Sequence, residues 1–199
     1  MKVNEIFYSL QGEGFHAGTP AIFVRFCYCN LKCPFCDTDF QNGQEMTEEQ
    51  IVDAVKGVGD DCRFIVLTGG EPTIQVKESL IDKLHAEWFT VAMETNGTRP
   101  WPKNLDWVTV SPKAPFLKDG LGELCKDNPK ASEVKVVYNG DNAHLIELYA
   151  NIGEYKYIQP CDTGNAAKNK EITASAIEWL KAHPDWRLSL QTQKIINVR

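Results

Sequence analysis

Four of the seven cysteines crowd into one stretch, Arg25-Phe26-Cys27-Tyr28-Cys29-Asn30-Leu31-Lys32-Cys33-Pro34-Phe35-Cys36-Asp37-Thr38. Cys29, Cys33 and Cys36 have the spacing C-x₃-C-x₂-C. Three thiolates on one loop can each take one iron of a cubane cluster, since thiolate is the usual iron–sulfur ligand. The fourth iron then has no protein thiolate nearby and stays open to a substrate or cofactor. The same residues admit a second reading, a structural zinc with Cys27 as its fourth ligand. C-x-C-x₃-C-x₂-C is too compact for a two-knuckle zinc ribbon, however, and Cys27 reads as a packing residue at a strand end. An odd count of clustered thiols does not suit a disulfide framework. Cys62, Cys125 and Cys161 stand alone and read as small buried hydrophobes.

Further polar motifs each follow an apolar, β-branched run: Thr68-Gly69-Gly70-Glu71-Pro72, Glu94-Thr95-Asn96-Gly97, Ser111-Pro112-Lys113 and Gln159-Pro160-Cys161-Asp162. A glycine pair at a strand end lets backbone approach a polar ligand. The runs themselves predict strands at Ala21–Phe26, Phe64–Leu67, Thr90–Met93, Trp107–Val110, Glu133–Val137, Tyr157–Ile158 and Leu188–Leu190. Helices are predicted at Glu48–Val58, Lys77–Glu87, Ala143–Asn151 and Thr173–Ala182. Thr47 with Gln50 three residues on is a capping-box pattern for the first. Trp101–Asp106 and Ala114–Pro129 carry Pro, Gly and charge and read as loops.

Strands this short and this continuously apolar suit a parallel sheet covered on both faces. About six mostly parallel strands with three or four good helices predict an incomplete, TIM-like α/β barrel, with its chemistry at the C-terminal strand ends. No repeat or linker interrupts the 199 residues, so they read as one domain, 1–199. The formal charge of −6 and a pI near 5.3 argue against binding nucleic acid through net charge. Apolar runs are far shorter than the roughly 20 residues of a membrane span, and Met1–Glu5 has no signal-like apolar core, so a cytoplasmic location is expected.

The C-x₃-C-x₂-C loop resembles the signature of the radical S-adenosylmethionine superfamily, and Gly69-Gly70-Glu71-Pro72 resembles its GGEP motif. The resemblance narrows at Asn4-Glu5-Ile6-Phe7-Tyr8-Ser9-Leu10-Gln11-Gly12-Glu13-Gly14 and Gly18-Thr19-Pro20-Ala21-Ile22-Phe23-Val24-Arg25. With Cys36-Asp37-Thr38-Asp39-Phe40, Glu133-Val134-Lys135 and Leu190-Gln191-Thr192, essentially the whole chain is similar to the 7-carboxy-7-deazaguanine synthases. That similarity implies a lyase of 7-deazapurine and queuosine-precursor biosynthesis. Such an enzyme uses a [4Fe–4S] cluster, S-adenosylmethionine and Mg²⁺ to convert 6-carboxy-5,6,7,8-tetrahydropterin to 7-carboxy-7-deazaguanine and ammonia. It also implies a flavodoxin or ferredoxin as electron donor, and a homodimer.

The same resemblance implies roles for particular residues. Cys29, Cys33 and Cys36 match the cluster ligands and Thr38 the magnesium ligand. Leu10, Gln11, Gly12, Arg25 and Thr68 match substrate contacts, with Arg25 as a guanidinium clamp on a carboxylate. Gln193 and Arg199 are carried over as late substrate contacts. Phe35, Cys36, Asp37, Gly70, Ser111, Pro112, Lys113, Gln159, Pro160, Cys161 and Asp162 match contacts to S-adenosylmethionine. Glu13 and Glu94 are candidate site carboxylates. Taken without the resemblance, Arg25 reads as a structural ion pair and Thr38 as a turn hydroxyl. Two competing functions share the cysteine loop: a radical activase of a glycyl-radical protein, and a non-enzymatic iron–sulfur or zinc module.

Overall fold

The computed structural model describes residues 1–36, 38, 42–59, 61–117 and 122–198. Its frame is one sheet. Strands β1 (Lys2–Leu10), β2 (Pro20–Phe26), β3 (Gln44–Glu45), β4 (Phe64–Gly69), β5 (Thr90–Thr95), β6 (Trp107–Val110), β7 (Ala131–Tyr138), β8 (Gly153–Pro160) and β9 (Arg187–Leu188) lie in the order β3-β1-β2-β4-β5-β6-β7-β8-β9. From β2 to β9 every pairing is parallel, so seven strands form the parallel arc. β1 joins it antiparallel through β2, and the two-residue β3 extends that edge. The expected open, mostly parallel α/β sheet is present: its seven parallel strands answer to the seven apolar runs, and β1 and β3 are additions at the edge.

Alternation along the strands separates two environments. Ile22, Val24, Ile65, Leu67, Val91, Met93 and Val108 point outward. There they meet the apolar faces of helices α1 (Glu48–Lys56) and α2 (Glu78–Ala86) in one fully buried core. α1 has the predicted capping box: the Gln50 N–H donates to the Thr47 hydroxyl, and the Thr47 N–H donates to the Gln50 side chain. Val134, Val136 and Ile158 face a second core with Ile172 and Ala176 of α4 (Ala166–Ala182). The inward face carries a smaller apolar cluster, Phe7, Ala21, Phe23, Val66 and Ala92, and the polar residues of the site.

Several elements differ from expectation. β1 is absent from the sequence reading because only Val3 and Phe7 are buried in it, with no continuous apolar run. α4 begins at Ala166 rather than Thr173: Asn165 caps it by accepting from the Lys168 N–H, and its first two turns are polar and exposed. β9 is Arg187–Leu188, not Leu188–Leu190, and the segment beyond it turns inward to a short α5 (Thr192–Ile195). The predicted helix at Ala143–Asn151 is α3 (Ala143–Ile146) followed by a 3₁₀ turn, Glu147–Tyr149.

Candidate active site

A cavity of about 630 Å³ occupies the hollow of the arc, and its wall is built from strand ends and loops far apart in sequence. The loop after β2 brings Cys29, Leu31, Cys33, Phe35, Cys36 and Thr38 to it. The position of this loop depends on glycine. Gly69 adopts φ +117°, and a Cβ there would stand 2.3 Å from the Phe26 carbonyl oxygen. A Cβ on Gly70 would stand 1.9 Å from the Tyr28 carbonyl oxygen. Only bare backbone lets the end of β4 lie against the start of the cysteine loop. The Gly70 N–H then donates to Phe26 O (2.9 Å) and the Glu71 N–H to Tyr28 O (2.7 Å).

The Glu71 side chain turns away from the cavity. It is 1% exposed and accepts from the Thr73 N–H (3.1 Å), the Thr73 hydroxyl (2.6 Å), the Thr95 hydroxyl (2.7 Å) and the Asn96 N–H (2.7 Å). Its carboxylate therefore ties the end of β4 to the end of β5, and what the cavity receives from this motif is Gly69 and Gly70.

The three thiols fit a cluster. Cys29 and Cys33 are half-buried, Cys36 is exposed, and the Leu31 N–H points at the Cys29 sulfur (3.4 Å). Burial pushes the Cys29 and Cys33 thiols up, a cost that bound iron reverses by taking the thiolate. Among the described residues no three Cys, His, Asp or Glu side chains converge on a single point. A cubane does not ask for that, because each thiolate takes a different iron. Cys27 is fully buried, donates to Asn42 O (3.3 Å) and is not among the cavity-lining residues.

Ser111, Lys113, Gln159, Pro160, Cys161 and Asp162 reach the same cavity from the ends of β6 and β8. Burial lowers the Lys113 ammonium, which donates to the Ser111 carbonyl (3.0 Å) and hydroxyl. Phe35 stands edge-on to Phe116 at 4.6 Å between ring centroids. The Gly164 N–H, Lys194 and Asn169 bind the Asp162 carboxylate and hold it down near about 2. Pro112 is buried outside the cavity lining, so of Ser111-Pro112-Lys113 only the flanking residues face the site. Asp37 and Arg199 lie outside the described residues.

The opposite end of the cavity is its floor, and the loop between β1 and β2 makes it. Phe15 and His16 pack on Trp107, and Phe15 also on Tyr155, near the N-terminal ends of the strands. Leu10, Gln11, Gly12 and Glu13 thereby face upward into the cavity, beside Arg25, Thr68 and Glu94. Arg25 also forms the ion pair that its residue type suggested, with Nε 2.8 Å from Glu5 Oε1. Gln193 comes from the C-terminal segment and donates to Glu13 (3.2 Å).

Lys135 escaped the reading of single residues, although the sequence carried a signal. Ala131–Tyr138 is an otherwise apolar strand, and Glu133 and Lys135 fall on one face of it, two residues apart. Lys135 is buried, pairs with Glu13, and lies 3.6 Å from Glu94. Burial alone would lower its ammonium, but Glu13, Glu94 and Glu133 more than offset that and hold it above the ordinary lysine range. Burial would likewise raise Glu13, yet Lys135 and the amides of Gln191 and Gln193 bring it down to about 2. Glu133 receives less help, and burial pushes it up to about 7.

With this geometry in place, comparison with known proteins is specific. Residues 23–118 match the model of the radical SAM superfamily. A 7-carboxy-7-deazaguanine synthase of Bacteroides thetaiotaomicron is 46% identical over 198 residues, covering 100% of this chain and 98% of that protein. One from Burkholderia multivorans is 42% identical over 217 residues, covering 98% of each. The crystal structure of QueE from Escherichia coli superposes with a TM-score of 0.73 at 29% identity, covering 95% of this chain and 92% of that one.

Proposed function

The chain belongs to the 7-carboxy-7-deazaguanine synthase family of radical SAM enzymes, and from that footing we propose how its cavity converts 6-carboxy-5,6,7,8-tetrahydropterin to 7-carboxy-7-deazaguanine and ammonia. The observation that carries the reading is a single cavity. It joins the three thiols of C-x₃-C-x₂-C, the paired glycines of β4 and the polar floor of Leu10–Glu13. A [4Fe–4S] cluster held by Cys29, Cys33 and Cys36, with S-adenosylmethionine, would supply radical chemistry able to exchange a hydrogen atom with the substrate.

Cys29, Cys33 and Cys36 hold the cluster in this reading. Gly70 backbone, Phe35, Ser111, Lys113 and the Gln159–Asp162 turn bind S-adenosylmethionine, with Lys113 as the buried cation at its carboxylate. Asp37 and Pro112 complete these segments. Leu10, Gln11, Gly12 and Thr68 orient the pterin ring through the donor–acceptor pattern of its edge. Arg25 clamps the substrate carboxylate through its terminal nitrogens, since Nε is taken by Glu5. Gln193 and Arg199 close the substrate side. The Thr38 hydroxyl is a magnesium ligand beside substrate oxygens, as suits an ion that keeps several waters. The whole of 1–199 works as one catalytic domain, in the cytoplasm, as a homodimer reduced by a flavodoxin or ferredoxin.

The small-molecule reading is favoured over an activase because the site is recessed and its floor is an ordered set of side chains rather than an open docking face. The test is anaerobic turnover of cluster-reconstituted protein with the carboxytetrahydropterin, S-adenosylmethionine, Mg²⁺ and a reductant. Formation of 7-carboxy-7-deazaguanine with release of ammonia is the expected result. Cleavage of S-adenosylmethionine that is indifferent to the pterin overturns the proposal.

A further inference from the structure

The polar groups of the floor close into a ring. Lys135 Nζ binds Glu13 Oε2, the Glu13 N–H donates to Gln11 Oε1 (3.2 Å), Gln11 Nε2 donates to Glu94 Oε1 (3.1 Å), and Lys135 Nζ returns to that same Glu94 oxygen at 3.6 Å. Thr68 joins from β4 by donating to Glu94 Oε2 (3.4 Å). Glu13 also reaches out of the ring, where its Oε1 accepts from Gln191 Nε2 (2.9 Å) and Gln193 Nε2 (3.2 Å). The C-terminal segment is held to the same loop by Thr192, whose N–H and hydroxyl both donate to Gly12 O, and by Ser189, whose hydroxyl accepts from the Gly14 N–H.

Lys135 is the cation at the centre of this ring, its side chain 5% exposed. It pairs with two carboxylates, Glu13 and Glu94, with Glu133 beside it on the same face of β7, while Gln11 has its amide oxygen committed to the Glu13 backbone N–H and its amide nitrogen to Glu94. Gln11 and Thr68 both donate to Glu94, so the orientation of each depends on where Lys135 holds that carboxylate, while the Glu13 backbone N–H fixes the Gln11 amide oxygen. A fully connected buried polar network fixes one arrangement; a broken one relaxes to several.

We propose that Lys135 is a positioning residue: it sets the floor that orients the pterin, and through Glu13 it couples that orientation to docking of the C-terminal segment over the open side of the sheet. This inference rests on the function proposed above. A substrate held loosely over the site leaves the adenosyl radical without its hydrogen donor in line, because transfer needs near-attack geometry. Uncoupling of S-adenosylmethionine cleavage from product is then the signature, which a purely structural role does not produce.

The test compares wild type, Lys135→Met and the double variant Lys135→Met/Glu13→Gln. The double variant removes both members of the closest ion pair, leaves less uncompensated charge than Lys135→Met alone, and so guards against a single variant that fails to fold; Glu13→Gln alone is the second safeguard. Each protein is reconstituted and matched for cluster content. Pterin affinity is measured by calorimetry in the unreduced holoenzyme with S-adenosylmethionine present, and product per 5′-deoxyadenosine is measured after reduction at saturating pterin. Folded variants are expected to bind the pterin at least about tenfold more weakly, a change of about 1.4 kcal/mol. Product per 5′-deoxyadenosine is expected to fall at least fivefold. A wild-type value for either quantity overturns the inference. If wild type binds the pterin but forms no product, the proposed function falls, and the affinity comparison alone decides the role of Lys135.

Discussion

Glu133 offers the sharpest prediction about stability. It lies 2% exposed on the inward face of β7, accepts the Phe15 N–H at 2.9 Å, and is pushed by burial from 4.5 up to about 7. A carboxyl whose pKa is raised on folding binds its proton more tightly in the native state. Its contribution is complete below about pH 4.5 and is lost as pH climbs through about 7. The displacement is 7 − 4.5 = 2.5, and at about 1.36 kcal/mol for each factor of ten it amounts to about 3 kcal/mol above pH 7. Glu133→Gln mimics the protonated carboxyl, keeps an acceptor for Phe15, and does not ionise. Urea unfolding of both proteins at pH 5 and pH 8, with cluster content matched, gives the difference directly. The pKa of His16 is lowered by burial, but this histidine is present in both proteins. The stability of the variant relative to wild type should rise by about 2.5 kcal/mol between pH 5 and pH 8. A difference that stays flat across that range refutes the reasoning, and shows that Glu133 keeps its charge inside the fold.

Other expectations follow from the site. Cys33→Ala, like Cys29→Ala and Cys36→Ala, should lose the cluster by iron and sulfide analysis, while Cys27→Ala retains it, because the Cys27 thiol is bonded to Asn42 O outside the cavity. Glu71→Ala should cost about 3–5 kcal/mol in denaturant unfolding, since it leaves four buried donors without their acceptor; a loss below about 1 kcal/mol contradicts its role as the tie between β4 and β5. Arg25→Ala should weaken pterin binding about ten- to a hundredfold, with Arg25→Lys recovering part of it. Glu5→Gln provides the control, as it weakens the ion pair at Nε and leaves the guanidinium in place, and an equal loss there would make Arg25 structural.

How much could be read from residues alone depended on where side chains face. The parallel strands carry continuous apolar runs because both faces are covered, so β2, β4, β5 and β6 were legible to within a residue or two. The loops at their ends stood out because Cys, Gly-Gly and Ser-Pro-Lys interrupt such runs abruptly. β1 was hidden by its half-exposed edge position, and the first turns of α4 by their polar, largely exposed side chains. The structural role of Glu71 was not legible, because nothing in Gly69-Gly70-Glu71-Pro72 shows that its carboxylate lies behind the wall and binds the end of β5. Lys135 was passed over as a single site residue because a lysine in a strand ordinarily extends to water, although its place on one face with Glu133 was a signal. Its partner Glu13 lies 122 residues away, a pairing that only the closure of the sheet creates.

The two ends of the cavity are held by different kinds of structure, and this has a consequence for how the site responds to change. On the cluster side, the cysteine loop rests on β4 through backbone hydrogen bonds at Gly70 and Glu71, and β4 is tied to β5 by a fully buried carboxylate. On the substrate side no strand pairing closes the arc among the described residues: the order ends at β9 on one edge and β3 on the other. The interval is spanned by the contacts of Ser189, Gln191, Thr192 and Gln193 with Gly12, Glu13 and Gly14. Such contacts open more readily than a sheet ladder, because each carries less cooperative support from neighbours. The floor and the C-terminal segment are therefore expected to open at lower cost than the ends of β4 and β5. Changes at Glu13, Lys135 or Gln193 should alter pterin handling at constant iron content, and changes at Gly69 or Gly70 should do the reverse, because bulk there drives the cysteine loop off the sheet.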